Sequence, residues 1–289
     1  MTEDGSASAS LEALRNEIDS IDGEIHRLIR RRAEVVEALG ALKQANGPSL
    51  ALRPGREAQV LRRLVATHTG RFPTAALLSL WRTMMAGFLR MQQPVEVCVA
   101  APDLALWDQV RIHFGGEMPI TAVASSQDAL AALDQAGPRI AVLQPPAPDD
   151  CWWRLLAQGG PMVIARLPFF YRRNQNLPHA YVVALAAPEP SGDDVTWLRL
   201  AGGAAALDHL VVEGAGHAGL ELSTVAAYNP TEPRTPASWL VAVSRFMAAD
   251  DEALNRLKNQ ALANGVEVER VGCFARPIEL PGSDQGRNP

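Results

Sequence analysis

Two bases interrupt an apolar stripe in the N-terminal third of this chain. The stripe reads Leu14, Ile18, Ile21, Ile25, Leu28, Arg32, Val35, Leu39, Leu42, with Lys43 beside it. Steps of three and four mark one face of a helix. Arg32 and Lys43 lie about three turns apart, and ~1100° of rotation returns them to nearly the same side. An apolar face takes in two cations only where something anionic meets them, because an unpaired buried charge is too costly. Such a pair therefore points to the recognition of an anion, either an internal carboxylate or a bound substrate.

The elements that must position these groups follow from the same periodicity. Helices are predicted over Leu11–Ala45, Gly55–Thr69 and Pro73–Gln93, the first stopped by Asn46-Gly47-Pro48. A first helix ~50 Å long outruns its two shorter partners. Its stripe calls for another chain, most simply an antiparallel copy of itself. A plain coiled-coil dimerisation arm would carry a similar stripe. From Pro94 the period changes. Strands are predicted at Val95–Ala100, Ile120–Ala124, Arg139–Gln144, Met162–Leu167 and Ala180–Leu185, and helices at Leu104–Phe114, Ser126–Gln135 (Ser126 as N-cap) and Asp150–Gln158. This is an α/β layer. After a linker at Pro188–Asp194, the order is βαββαβ, with strands Thr196–Leu200, Leu220–Ala227, Trp239–Phe246 and Val266–Phe274 and helices Ala204–Val212 and Asp250–Asn264. That is the ferredoxin-like pattern of an α+β domain. The tail from Pro281 reads as disordered. The expected organisation is multidomain: an all-α domain at 1–94, a single α/β lobe at 95–188 and an α+β domain at 195–281.

Composition narrows the function classes. The chain has 289 residues and a net charge of −5. Between Leu11 and Gln93, however, 13 Lys and Arg face 8 Asp and Glu, a balance of +5. These bases do not cluster on one outer face and no nucleic-acid motif accompanies them, so a small polyanion fits better than nucleic acid. No run approaches a membrane span and no signal peptide opens the chain. Cytoplasm is the expected location. Cys98, Cys151 and Cys273 are never in a C-x-x-C, as unpaired thiols in a reducing compartment would be. The histidines show no metal-ligand spacing. Gly214-Ala215-Gly216-His217-Ala218-Gly219 matches G-x-G-x-x-G. It follows a helix and opens a strand, the reverse of a dinucleotide site. Cys151-Trp152-Trp153 reads as a cover for the α/β layer, and Phe169-Phe170-Tyr171-Arg172-Arg173 as a loop open to interaction.

The first segment resembles the all-helical chorismate mutases. The resemblance rests on Leu14-Arg15, Ile18-Asp19, Ile21-Asp22, Leu28-Ile29, Arg31-Arg32, Lys43, Arg56-Glu57-Ala58 and Gln92. It implies an intertwined homodimer that converts chorismate to prephenate. That pericyclic rearrangement needs no nucleophile, metal or cofactor. It needs two carboxylates held, the side chain folded over the ring, and charge on the ether oxygen stabilised. By resemblance, Arg15 and Arg32 take the carboxylates through their planar forks. Lys43 and Gln92, with Gln93 as a competitor, face the ether oxygen. Glu57 receives the ring hydroxyl, and Arg56 supports the site. Arg15 and Arg32 are 17 residues apart, so ~1700° of turn points them ~100° apart on one straight helix. They can share a site only if they come from different chains. Two substrate-touching positions depart from the pattern: Arg53 stands where the family often has an acid, and Phe88 where it often has a small polar residue.

The remainder resembles a worn prephenate dehydratase followed by an ACT-like regulatory domain. His113-Phe114-Gly115, Ser125-Ser126-Gln127-Asp128-Ala129 and Arg139-Ile140-Ala141-Val142-Leu143 follow the dehydratase's first lobe. There is no room for its second. The family's Thr-Arg-Phe reads His179-Ala180-Tyr181, and its Gly-rich turn reads Ala100-Ala101-Pro102-Asp103. The resemblance therefore implies that dehydratase activity is lost. Gly202-Gly203-Ala204-Ala205-Ala206-Leu207 and Ala227-Tyr228-Asn229-Pro230 stand at the ACT ligand turns, where only the proline survives of Glu-Ser-Arg-Pro. The expectation is a chorismate mutase, with a non-catalytic scaffold or a still-bifunctional enzyme as alternatives, and with a further aromatic-pathway enzyme as an open partner.

Overall fold

The structure is a computed structural model and describes residues 3–44, 50–135, 137–173, 175, 177–214, 216, 218–230 and 235–281. Compactness divides the chain into two units, Met1–Ser49 and Leu50–Pro289. The first unit is one helix, α1 (Glu3–Gln44). It starts earlier than its apolar stripe. The expected stop at Asn46-Gly47-Pro48 lies outside the described residues, as does the tail beyond Pro281.

The second unit opens with a helical hairpin, α2 (Pro54–Thr67) and α3 (Thr74–Gln92). Pro54 sits in the first turn of α2, where its missing N–H costs nothing, and Glu57 in that turn complements the helix dipole. There follow β1 (Glu96–Ala100), α4 (Leu104–Phe114), β2 (Ile120–Val123), α5 (Ser126–Ala131), β3 (Arg139–Leu143), β4 (Met162–Leu167), β5 (Phe170–Arg172), β6 (Ala180–Ala184), β7 (Asp194–Gly202), α6 (Ala204–His209), β8 (Ser223–Tyr228), β9 (Ala237–Val243), α7 (Glu252–Ala263), β10 (Glu267–Ala275) and β11 (Ile278–Leu280).

The main strands form one nine-stranded mixed sheet in the order β2-β1-β3-β6-β4-β10-β7-β9-β8. β1 pairs in parallel with β2 and β3, and β6 runs antiparallel to β3 and β4. The last four strands keep the antiparallel order β10-β7-β9-β8, which is the arrangement of the split βαβ pattern. Alternate residues face opposite layers, as the pleat requires. Val97 and Val99 of β1 enter the core under α4, with Leu106, Val110 and Phe114. Cys98 and Ala100 enter the other core, with Ala129, Leu130, Trp152 and Trp153. On β7, Trp197 joins that second core, while Leu198 and Leu200 pack with Leu207 of α6 and Leu254 and Leu257 of α7.

Where β10 meets β4 in parallel, Gly272 lies opposite Val163. A Cβ on Gly272 would sit 2.5 Å from the Val163 Cβ and 2.7 Å from its carbonyl oxygen. The seam that fuses the two halves of the sheet therefore requires glycine. Gly272→Ala is expected to lower unfolding stability by about 2 kcal/mol or more, read from the midpoint of a urea titration.

Four local expectations are corrected. The expected helix Asp150–Gln158 is a single 3-10 turn, Trp152–Leu155. This tight turn brings both consecutive indoles into the core, with Trp152 Nε1 donating to the Gln144 carbonyl at 3.0 Å. The cap of α5 is Ser125, which accepts from the Asp128 amide; Ser126 is buried and donates to Asp150 at 2.6 Å. Residues 169–173 are not an open loop: Phe170–Arg172 forms β5, paired in parallel with β11. The segment Pro188–Asp194 is a strap rather than a free linker. Arg62 of α2 donates to the carbonyls of Ser191, Asp193 and Arg276, and Gln59 to that of Pro190. In the G-x-G-x-x-G stretch, Ala215 and His217 lie outside the described residues. A π-turn at Leu210–Gly214 precedes it and β8 follows, starting three residues later than expected.

Candidate active site

Helix α1 carries Arg15, Arg32 and Lys43. Arg15 is exposed and Arg32 partly buried; the side chain of Lys43 lies outside the described residues. From Leu11 to Leu42, α1 exposes ten large apolar side chains, with Leu14 at 56 %, Ile18 at 57 % and Leu28 at 57 %. Water is a poor environment for such a surface.

The second unit carries the other candidates. Gln92, in the last turn of α3, donates from Nε2 to the Phe88 carbonyl at 3.3 Å. Its Oε1 is buried and has no hydrogen-bond partner among the described residues. A buried amide oxygen left open in this way has an acceptor's capacity to spare. Gln93, the competing glutamine, is a structural tether: its Oε1 accepts from the Ala51 amide at 2.8 Å and ties the segment before α2 to the end of α3. Phe88 is buried at 7 %. Arg53 is ion-paired with Glu189 of the strap. Beside it, Gly55 gives the strap room, since a Cβ there would lie 2.6 Å from the Glu189 carbonyl. Arg56 is exposed and donates to Gln59 at 3.2 Å.

Glu57 projects from the first turn of α2, and its Oε2 accepts from Arg82 Nη1 of α3 at 2.6 Å. Arg82 in turn donates from Nε to the His113 carbonyl at 3.2 Å and hydrogen-bonds His113 Nε2 through its other amino group. Neither Arg82 nor His113 was a candidate on sequence grounds. A signal for Arg82 was present: Leu78, Arg82, Met85 and Leu89 form the buried face of α3, again a cation inside an apolar stripe at spacings of four and three. The partner His113 comes from α4, and no spacing rule reaches that far. Burial, reinforced by the Arg82 charge, pushes the His113 imidazole well below its ordinary pKa.

The residues at the start of β6 are also on view. Ala180 is fully buried, and Tyr181 is buried against Trp152, Trp197 and Phe274, with the Trp197 ring centroid at 4.3 Å. Tyr181 is therefore a core residue. Burial raises its phenol pKa, and burial together with Arg166 lowers that of His179. Among the described residues, no group of three His, Cys, Asp or Glu is placed to hold a metal ion, and no helix is long and apolar enough to cross a membrane.

Residues 14–93 match the family model described as chorismate mutase type II. The chain is 37 % identical over 102 residues to a bifunctional chorismate mutase/prephenate dehydratase of Neisseria gonorrhoeae, covering 35 % of this chain and 27 % of that one. A relative of the same description from Aquifex aeolicus is 31 % identical over 111 residues, covering 37 % and 30 %. The matched region thus spans less than a third of the length of either relative. A prephenate dehydratase structure from Streptococcus mutans overlays 62 % of this chain and 96 % of its own at a TM-score of 0.46 and 10 % identity, a distant likeness. Over residues 14–93 the chain therefore resembles the type II chorismate mutases.

Proposed function

We propose that this chain is an intramolecular isomerase that converts chorismate to prephenate as a homodimer assembled on α1. The observation that carries the reading is the family match over the whole helical segment, which contains every residue the chemistry needs. Arg15 of one subunit and Arg32 of the other hold the two substrate carboxylates. Lys43 and the Nε2 amide of Gln92 serve the ether-oxygen side, both as N–H donors. Glu57 accepts the ring hydroxyl and Arg56 supports the site. The exposed apolar stripe of α1 supports the homodimer. At two positions this chain has its own solution: Arg53, held by Glu189, and the buried Phe88 of α3. These bear on rate and affinity more than on reaction type. The rearrangement runs without a cofactor.

The modules are 1–94, 95–188 and 195–281, the last two a reduced dehydratase-like lobe and an ACT-like domain. The antiparallel order β10-β7-β9-β8 supports the ACT-like assignment. We infer further that dehydratase activity is lost. The positions of the family's hydroxyl and guanidinium are held by His179 and the buried Ala180, and neither can assist loss of both carboxylate and water. One assay tests both statements. Purified chain is incubated with chorismate, and prephenate and phenylpyruvate are measured. Prephenate without phenylpyruvate is expected. No consumption of chorismate would favour a non-catalytic scaffold, for which the paired Arg53 and the buried Phe88 are the specific observations. Phenylpyruvate would show a bifunctional enzyme.

A further inference from the structure

Glu57 has two carboxylate oxygens, and the structure treats them differently. Oε2 is bonded to Arg82 at 2.6 Å, while Oε1 takes no hydrogen bond among the described residues. The space on the Arg82 side, lined by Glu57, Arg82, His113, Arg166 and Phe169, amounts to about 10 Å³. That is room for at most one water molecule, so no substrate enters there. The Arg82 side is a support and Oε1 is the end left for chemistry.

The support is built across two helices of different origin. Arg82 lies on α3, in the family-matched segment, and is 4 % exposed; His113 lies on α4, outside that segment, and is 8 % exposed. An arginine only donates. In its bond with Arg82, His113 Nε2 must therefore be the acceptor, which places the ring proton on Nδ1 and makes the imidazole neutral. The depressed imidazole pKa agrees with this geometry. The guanidinium thus has Nη1 on Glu57 and both Nε and Nη2 on His113. Two bonds to one residue fix the plane of the fork. Gly115 lets α4 approach: a Cβ there would lie 3.3 Å from the Ala86 Cβ of α3, at a positive φ of 80°.

We propose that Arg82 and His113 are positioning residues of the mutase, through which the α/β region fixes the Glu57 carboxylate for the substrate's ring hydroxyl. This rests on the function proposed above. It also gives the α/β region a task that survives the loss of its own chemistry: His113 is its contribution to the neighbouring reaction.

A double-mutant cycle on the full chain tests the proposal, with kcat and KM for chorismate as readouts and circular dichroism and thermal unfolding as folding controls. His113→Phe removes the acceptor and is expected to lower kcat by roughly 10–100-fold with KM changed less than threefold. His113→Gln, whose side-chain oxygen can accept from Arg82, is expected to recover most of that loss. In a Glu57→Gln background, His113→Phe is expected to add less than a twofold further loss, because the carboxylate it positions is gone. If His113→Phe does not fold, Arg82→Lys, which keeps the charge and loses the fork, takes its place in the cycle. Independent, multiplying losses in the cycle, or a loss confined to KM, would overturn the positioning role while leaving the mutase standing. An unaltered chain that does not consume chorismate would instead overturn the function itself.

Discussion

Arg32→Ala is expected to reduce chorismate turnover by roughly 10²–10⁴-fold, equivalent to about 3–5 kcal/mol of transition-state stabilisation. Leucine or isoleucine would satisfy the phase occupied by Arg32, and a dimerisation arm would have no use for a guanidinium there. In the proposed mutase it neutralises a carboxylate in a site closed to water, where a lost charge partner is not replaced by solvent. The loss is expected in kcat and KM together, because the substrate carboxylate needs its partner in both ground and transition states. Arg32→Lys should recover only part of it, since an ammonium cannot pair both carboxylate oxygens in a plane. Steady-state kinetics checks this, and wild-type turnover by Arg32→Ala would refute the assignment.

The second large effect concerns assembly. Ile18 and Ile25 lie two turns apart on the exposed stripe of α1, at 57 % and 50 % exposure. Covering each such side chain is worth about 1.5–3 kcal/mol, and a symmetric dimer gains each contribution twice. The double substitution Ile18→Asp with Ile25→Asp forfeits that gain and buries carboxylates as well. Sedimentation is expected to show monomers, and chorismate turnover is expected to vanish, because no site then receives its second arginine. Glu24→Gln, a polar change on the same helix, should leave the sedimentation coefficient unchanged. A doubly substituted chain that stays dimeric would place the subunit contact elsewhere.

What could be read from the sequence was local. The α1 stripe, the helical hairpin and the βαββαβ order depend on periods of a few residues, and each is found in the structure. Individual strands shifted at their ends: the one expected from Leu220 starts at Ser223, because Leu220 instead packs into the core between α6 and α7. Contacts that join distant segments were not legible. The parallel seam between β4 and β10 rests on a close approach at Gly272, and a glycine in a strand does not announce which backbone it meets. Arg62 is anchored by carbonyls from residues 191, 193 and 276, and backbone acceptors leave no mark on composition. Three-residue strands such as β5 and β11 are too short to show a period. At the candidate site the division is the same. Arg32 and Arg82 both stand out as cations in apolar stripes, but the choice of Glu57 and His113 as the partners of Arg82 is a matter of tertiary packing. Glu57 alone would have passed for an acceptor free at both oxygens.

In the proposed mutase each active site draws on two subunits, and mixing inactive chains tests this. Arg15→Ala and Arg32→Ala chains, each purified and inactive, are unfolded together and refolded, and heterodimers are verified by mass. In a heterodimer one site loses both arginines and the other keeps both. With random pairing, on the order of a quarter of wild-type activity is expected to return. Verified heterodimers that remain inactive would contradict it.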